Sequence, residues 1–79
     1  MAERITFERS LYLPEAVEAA AAAYAELARV ELTTEPQAIV ASVEAAAGED
    51  GPHIVHGFCN HALYETIARR RQAKLDELT

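Results

Sequence analysis

Apolar and polar residues alternate near the start of the chain, with Ile5 and Phe7 on one side and Thr6 and Glu8 on the other. A period of two is the signature of a short, half-buried strand, and residues 10–13 then form a connection. Pro14 suits the first position of a helix, where its missing N–H costs nothing. Glu15 and Glu18 follow at the helix start, where the dipole favours negative charge. Val17, Ala20, Ala21, Tyr24, Leu27 and Ala28 recur at steps of three and four, so the spacing predicts an amphipathic helix over residues 14–29. The alanines at 19–23 have the highest helix propensity of any residue and let the helix sit close to a sheet.

Alternation returns at Val30-Glu31-Leu32-Thr33 and again at Ile39-Val40-Ala41-Ser42-Val43-Glu44. Between them, Thr34-Glu35-Pro36-Gln37 has turn chemistry, because Pro36 cannot donate to a ladder. These two segments read as a β-hairpin with Ile39, Ala41 and Val43 facing the core beside Val30 and Leu32. Residues 46–52, containing Gly48-Glu49-Asp50-Gly51-Pro52, form the clearest loop. After it, Val55, Phe58, Cys59, Ala62, Leu63, Thr66 and Ile67 make a second helical stripe, in a helix that starts near His53 or after Gly57. Residues 69–79 continue in helical composition with only Leu75 and Leu78 as large apolar residues, which predicts a tail that projects or packs on another chain.

The order strand, helix, strand, strand, helix predicts an α+β two-layer sandwich with a three-stranded sheet and both helices on one face. A strand–helix–strand unit is expected to run parallel, with the hairpin adding an antiparallel strand. The pattern matches a ferredoxin-like β-α-β-β-α-β repeat truncated before its last strand. In the complete arrangement that last strand pairs beside the first, and residues 68–79 have no β-branched run to supply it. The edge formed by Ile5, Thr6, Phe7 and Glu8 is therefore expected to be open, and open edges invite a strand from a twin subunit or a peptide. The blander alternative is a short, twisted edge blunted by the charges of Arg4 and Glu8.

Composition sets limits on this picture. The 79 residues are 51% hydrophobic and 25% charged, which suits one small domain over residues 1–79. A chain of this size buries only about 60% of the surface its unfolded form exposes, so the core is thin. No apolar run approaches the roughly 20 residues a membrane span needs, and residues 1–4 lack the basic start of a secretory signal. The single cysteine, Cys59, excludes an internal disulfide framework and points to a reducing, cytoplasmic setting. The net charge of −6 argues against a nucleic-acid partner, because phosphate neutralisation supplies most of that affinity. Residues 1–68 hold eleven acids against three arginines, whereas residues 69–79 hold four bases against two acids. Arg69, Arg70, Arg71 and Lys74 suit a phosphate or acidic peptide, but more simply a solvated helix end paired with Glu65 or Asp76.

Phe7, then Tyr12, then Glu15-Ala16-Val17 with Ala20, and later Phe58, Asn60, Leu63 and Ile67, carry a family resemblance. Over residues 5–68 the chain resembles the small D-type proteins of the His-Xaa-Ser peptide-maturation system. The motifs are short and mostly apolar. The resemblance implies an accessory factor encoded beside a radical-chemistry maturase that acts on ribosomally made peptides, with no cofactor-binding residues to carry over.

One polar cluster invites chemistry: His53, His56, Cys59 and His61, four potential zinc ligands within nine residues. On one regular helix Cys59 and His61 diverge by about 200°, so convergence needs a bend at Gly57 or two ligands from each of two chains. The alternative is that Cys59 is a small core residue and the histidines lie on the surface. Catalysis finds little support. Glu49 and Asp50 sit in a loop without a second carboxylate held opposite, and Cys59 lies on an apolar stripe where burial leaves a thiol inert. A chain this small is also not expected to enclose the ~300 Å³ at which ligand sites begin. The expectation is a non-enzymatic adaptor for a precursor peptide or maturase. A structural homo-oligomer is the first alternative, and a small metal-binding protein the second.

Overall fold

A computed structural model describes residues 2–78, so Met1 and Thr79, the last residue of the expected tail, lie outside the described residues. The elements follow as β1 (Glu3–Glu8), α1 (Pro14–Ala23), β2 (Ala28–Thr34), β3 (Ala38–Ala45) and α2 (Gly51–Leu78). The sheet order is β1-β3-β2. β3 pairs antiparallel with both neighbours, Ile5 opposite Ala41 on one side and Leu32 opposite Ala41 on the other. β1 and β2 thus run in the same direction, as expected of a strand–helix–strand unit, but β3 is inserted between them. Among the described residues this is the ferredoxin-like arrangement with three of its four strands.

The inward face of the sheet carries Phe7, Ile39, Ala41, Val43 and Ala28, all buried, with Ile5, Val30 and Leu32 packed at their margins. Val17 and Ala20 of α1 and Ile54, Phe58 and Ala62 of α2 close the core from the other layer. Edge-to-face rings join the layers: Phe7 meets Tyr12 at 4.8 Å and Phe58 at 5.9 Å, and Phe58 meets Tyr24 at 6.1 Å. The opposite face of the sheet is polar, with Arg4, Thr6, Glu8, Arg29, Glu31 and Thr33 all exposed. That is the alternation an antiparallel sheet with one solvated face requires.

α1 ends at Ala23, six residues before the expected limit at 29, although alanine and leucine favour continuing. The reason is tertiary. Ala28 is claimed by β3, where it pairs with Ala45, and turns at residues 24–28 redirect the chain. Leu27 is consequently half-exposed rather than part of a buried stripe, while Ala28 is buried from a strand.

α2 starts at Gly51, not at His53 or after Gly57. Asp50 caps it, its Oδ1 accepting from the His53 backbone N–H at 3.3 Å, with Pro52 in the first turn. The helix runs without interruption through Gly57 and on to Leu78. Its 28 residues account for the 47 Å long dimension, and for a radius of gyration of 13.3 Å against the roughly 11.6 Å of a compact chain this length.

Candidate partner-binding edge and cleft

Hydrogen bonds in an antiparallel pair alternate, so only every second residue of a strand points its main chain at a given neighbour. The Arg9 N–H donates to the Gln37 carbonyl at 3.0 Å, which fixes the phase of the β1–β3 ladder. By that phase Glu3, Ile5 and Phe7 spend their main-chain groups on β3, and Arg4, Thr6 and Glu8 turn theirs outward. Of the four expected edge residues, then, Thr6 and Glu8 turn their main-chain groups away from β3, whereas Ile5 and Phe7 do not. Arg4 also turns its main chain outward; the sequence pattern places it at this edge only as a blunting charge, because the two-residue period does not give the register. The Glu8 carbonyl already accepts from the Leu11 and Tyr12 N–H groups at 3.0 and 2.9 Å. Phe7 is 2% exposed and supports the edge from below against Tyr12 and Phe58. Among the described residues no strand lies on the outer side of β1. β2 forms the other edge of the sheet.

Two parallel lines of side chains run along α2. Ile54, Phe58, Ala62 and Thr66 form the buried line. Val55, Cys59, Leu63 and Ile67, expected to share the core stripe, form a second ridge one position round; Leu63 and Ile67 are 43% and 48% exposed. The second ridge is apolar, yet none of the described residues covers it fully. At its N-terminal end, Val55, His56 and Cys59 line a cleft of about 460 Å³ together with Gly51, Pro52, Val43, Ala45 and Glu3. The cleft exceeds the volume not expected of so short a chain, because it is an open space between layers rather than an enclosed cavity. It adjoins the N-terminal end of β1 through Glu3.

Burial pushes the Cys59 thiol above its ordinary pKa, which keeps it protonated and unreactive at neutral pH. Within one chain the four ligands of the metal alternative do not converge: α2 is continuous through Gly57, and among the described residues no group of three ligating side chains comes together. His53 and His56 are exposed, Cys59 turns to the cleft, and His61 sits against Tyr24 and 3.4 Å from Glu65. Gly57 has a different use: a Cβ there would collide with the Tyr24 hydroxyl. In the basic stretch, Arg69 lies 3.6 Å from Glu65 and Arg70 donates to the Ser10 carbonyl at 3.2 Å.

Among the described residues no helix is long and apolar enough to cross a membrane. No protein-family profile, curated protein or solved structure matches the chain.

Proposed function

We propose that this chain is a non-enzymatic adaptor of a ribosomal-peptide modification system, holding an extended segment of a precursor peptide or of a radical-chemistry maturase along the outer edge of β1. The observation that carries this reading is the outward main chain of Arg4, Thr6 and Glu8 beside an apolar cleft and ridge. In strand addition the backbone supplies affinity, and alternate side chains set register. A segment laid beside β1 at its Glu3 end would place side chains near the cleft lined by Val55 and Cys59, so those positions call for apolar residues. The net charge of −6 favours a basic or neutral segment. The accessory role itself comes from the resemblance to the D-type family.

The test is Thr6→Pro. It deletes an outward donor at an edge position, where proline is tolerated. Titrated with a His-Xaa-Ser repeat peptide and with the neighbouring maturase, the folded variant should bind whichever partner is taken at least tenfold more weakly. Undiminished binding by a variant with native circular dichroism removes the edge from the mechanism, and no binding of either partner by the unaltered chain removes the adaptor reading.

A further inference from the structure

We infer that β1 is also built to pair with β1 of a second copy, antiparallel and centred on Thr6, so that two sheets join into one of six strands. The inference shares the edge with the partner-strand reading but does not rest on it. Its basis is the order Arg4-Ile5-Thr6-Phe7-Glu8, which is complementary to its own reverse. With Thr6 on the two-fold axis, Arg4 lies opposite Glu8 of the second copy, Ile5 opposite Phe7, and Thr6 opposite its own equivalent. Opposite charges, apolar pairs and threonine pairs are the favourable cross-strand combinations, and a two-fold interface repeats each of them.

The phase of the ladder agrees independently. Arg4, Thr6 and Glu8 are the residues with outward main chain, and this register sets them opposite one another, as hydrogen-bonded pairs must be. Because the Glu8 carbonyl is already occupied by Leu11 and Tyr12, four main-chain bonds are counted: two between the threonines and two from Glu8 N–H to the Arg4 carbonyl. A shift by one residue would put inward side chains on the outer face. Centring on Ile5 instead sets Glu3 against Phe7, and centring on Phe7 sets Ile5 against Arg9, whose guanidinium is held by the carbonyls of Glu35 and Pro36. Only the Thr6 register satisfies the charges.

Arg4 and Glu8 are both exposed, and neither belongs to an ion pair among the described residues. Four residues apart on one strand, they are about 13 Å from each other and cannot pair within the chain. Their complementarity is available only to another molecule. The same two-fold axis would bring the two α2 ridges to the same side of the joined sheet, giving Leu63 and Ile67 an apolar neighbour. A second copy and a partner strand then compete for one edge, so partner binding would split the dimer.

Charge reversal tests this. Sedimentation at graded concentrations should show a wild-type dimer that dissociates on dilution. Arg4→Glu alone, or Glu8→Arg alone, should raise the dimer dissociation constant at least tenfold, since each sets like charges opposite. Mixed in equal amounts, the two variants should recover the dimer, because every opposed pair is again of opposite sign. Both sites are exposed, and circular dichroism checks that the variants fold. A wild-type monomer at millimolar concentration overturns the inference, as do single variants that dimerise like wild type or a mixture that stays monomeric. Because the two occupants compete, partner titrations are run below the dimer dissociation constant, where Thr6→Pro reports on the partner alone and the two readings fail separately.

Discussion

Gly57 shows how a residue can oppose its own local preference. Glycine inside a helix costs about 1 kcal/mol relative to alanine, yet at this position the missing Cβ leaves room for the Tyr24 hydroxyl. Tyr24 closes α1 and packs edge-on against Phe58 and His61, an arrangement worth about 0.5–1.5 kcal/mol per ring pair. Gly57→Ala should therefore destabilise the protein by about 1 kcal/mol despite the better helix former. In a Tyr24→Phe background the same change should be neutral or stabilising. Urea denaturation of the four proteins measures the coupling, and strict additivity would show that the phenol does not occupy this space. Spacing identified Gly57 as a possible bend. The contact that explains it comes from a residue 33 positions earlier in the chain.

Among the elements, α1 and α2 are joined at a polar point as well as an apolar one. Thr66, 1% exposed, accepts the Leu13 backbone N–H at 3.3 Å, one turn before α1 begins its ladder. Leu13 has no side-chain cap to offer, so the second helix satisfies the start of the first. Thr66→Val keeps the shape and removes the acceptor, and should cost about 1–3 kcal/mol through an unsatisfied donor. Thr66→Ser should retain most of that stability, and thermal melts of the three proteins decide. If valine and threonine melt alike, the hydroxyl is not holding α1. The stripe reading placed Thr66 on the core side of α2 correctly, but only as a neighbour of aliphatic residues. It also merged two ridges that the fold separates, because a seven-residue apolar list does not say which 100° of the helix circumference meets the sheet.

At the scale of the whole molecule, the sheet formed by the described residues ends at β1, and a cleft lined by Glu3, Val43 and Cys59 opens between it and α2. Burial raises the thiol's pKa in the folded state. The neutral thiol's contribution is therefore complete below the unfolded value of about 8.5 and is lost as pH rises through the higher folded value. Between pH 8 and 10 the melting temperature should fall more steeply for wild type than for Cys59→Ala. Parallel curves would mean that the thiolate is as well solvated folded as unfolded. The order of elements, the α+β class, the hairpin and the open first strand were all legible in the sequence, because periods of two and of three to four report which face each segment buries. The end of α1, the phase of the β1 ladder, the half-exposed ridge and the place of Gly57 were not. Each of these depends on pairing between residues distant in the chain, and local periodicity carries no information about which partner wins.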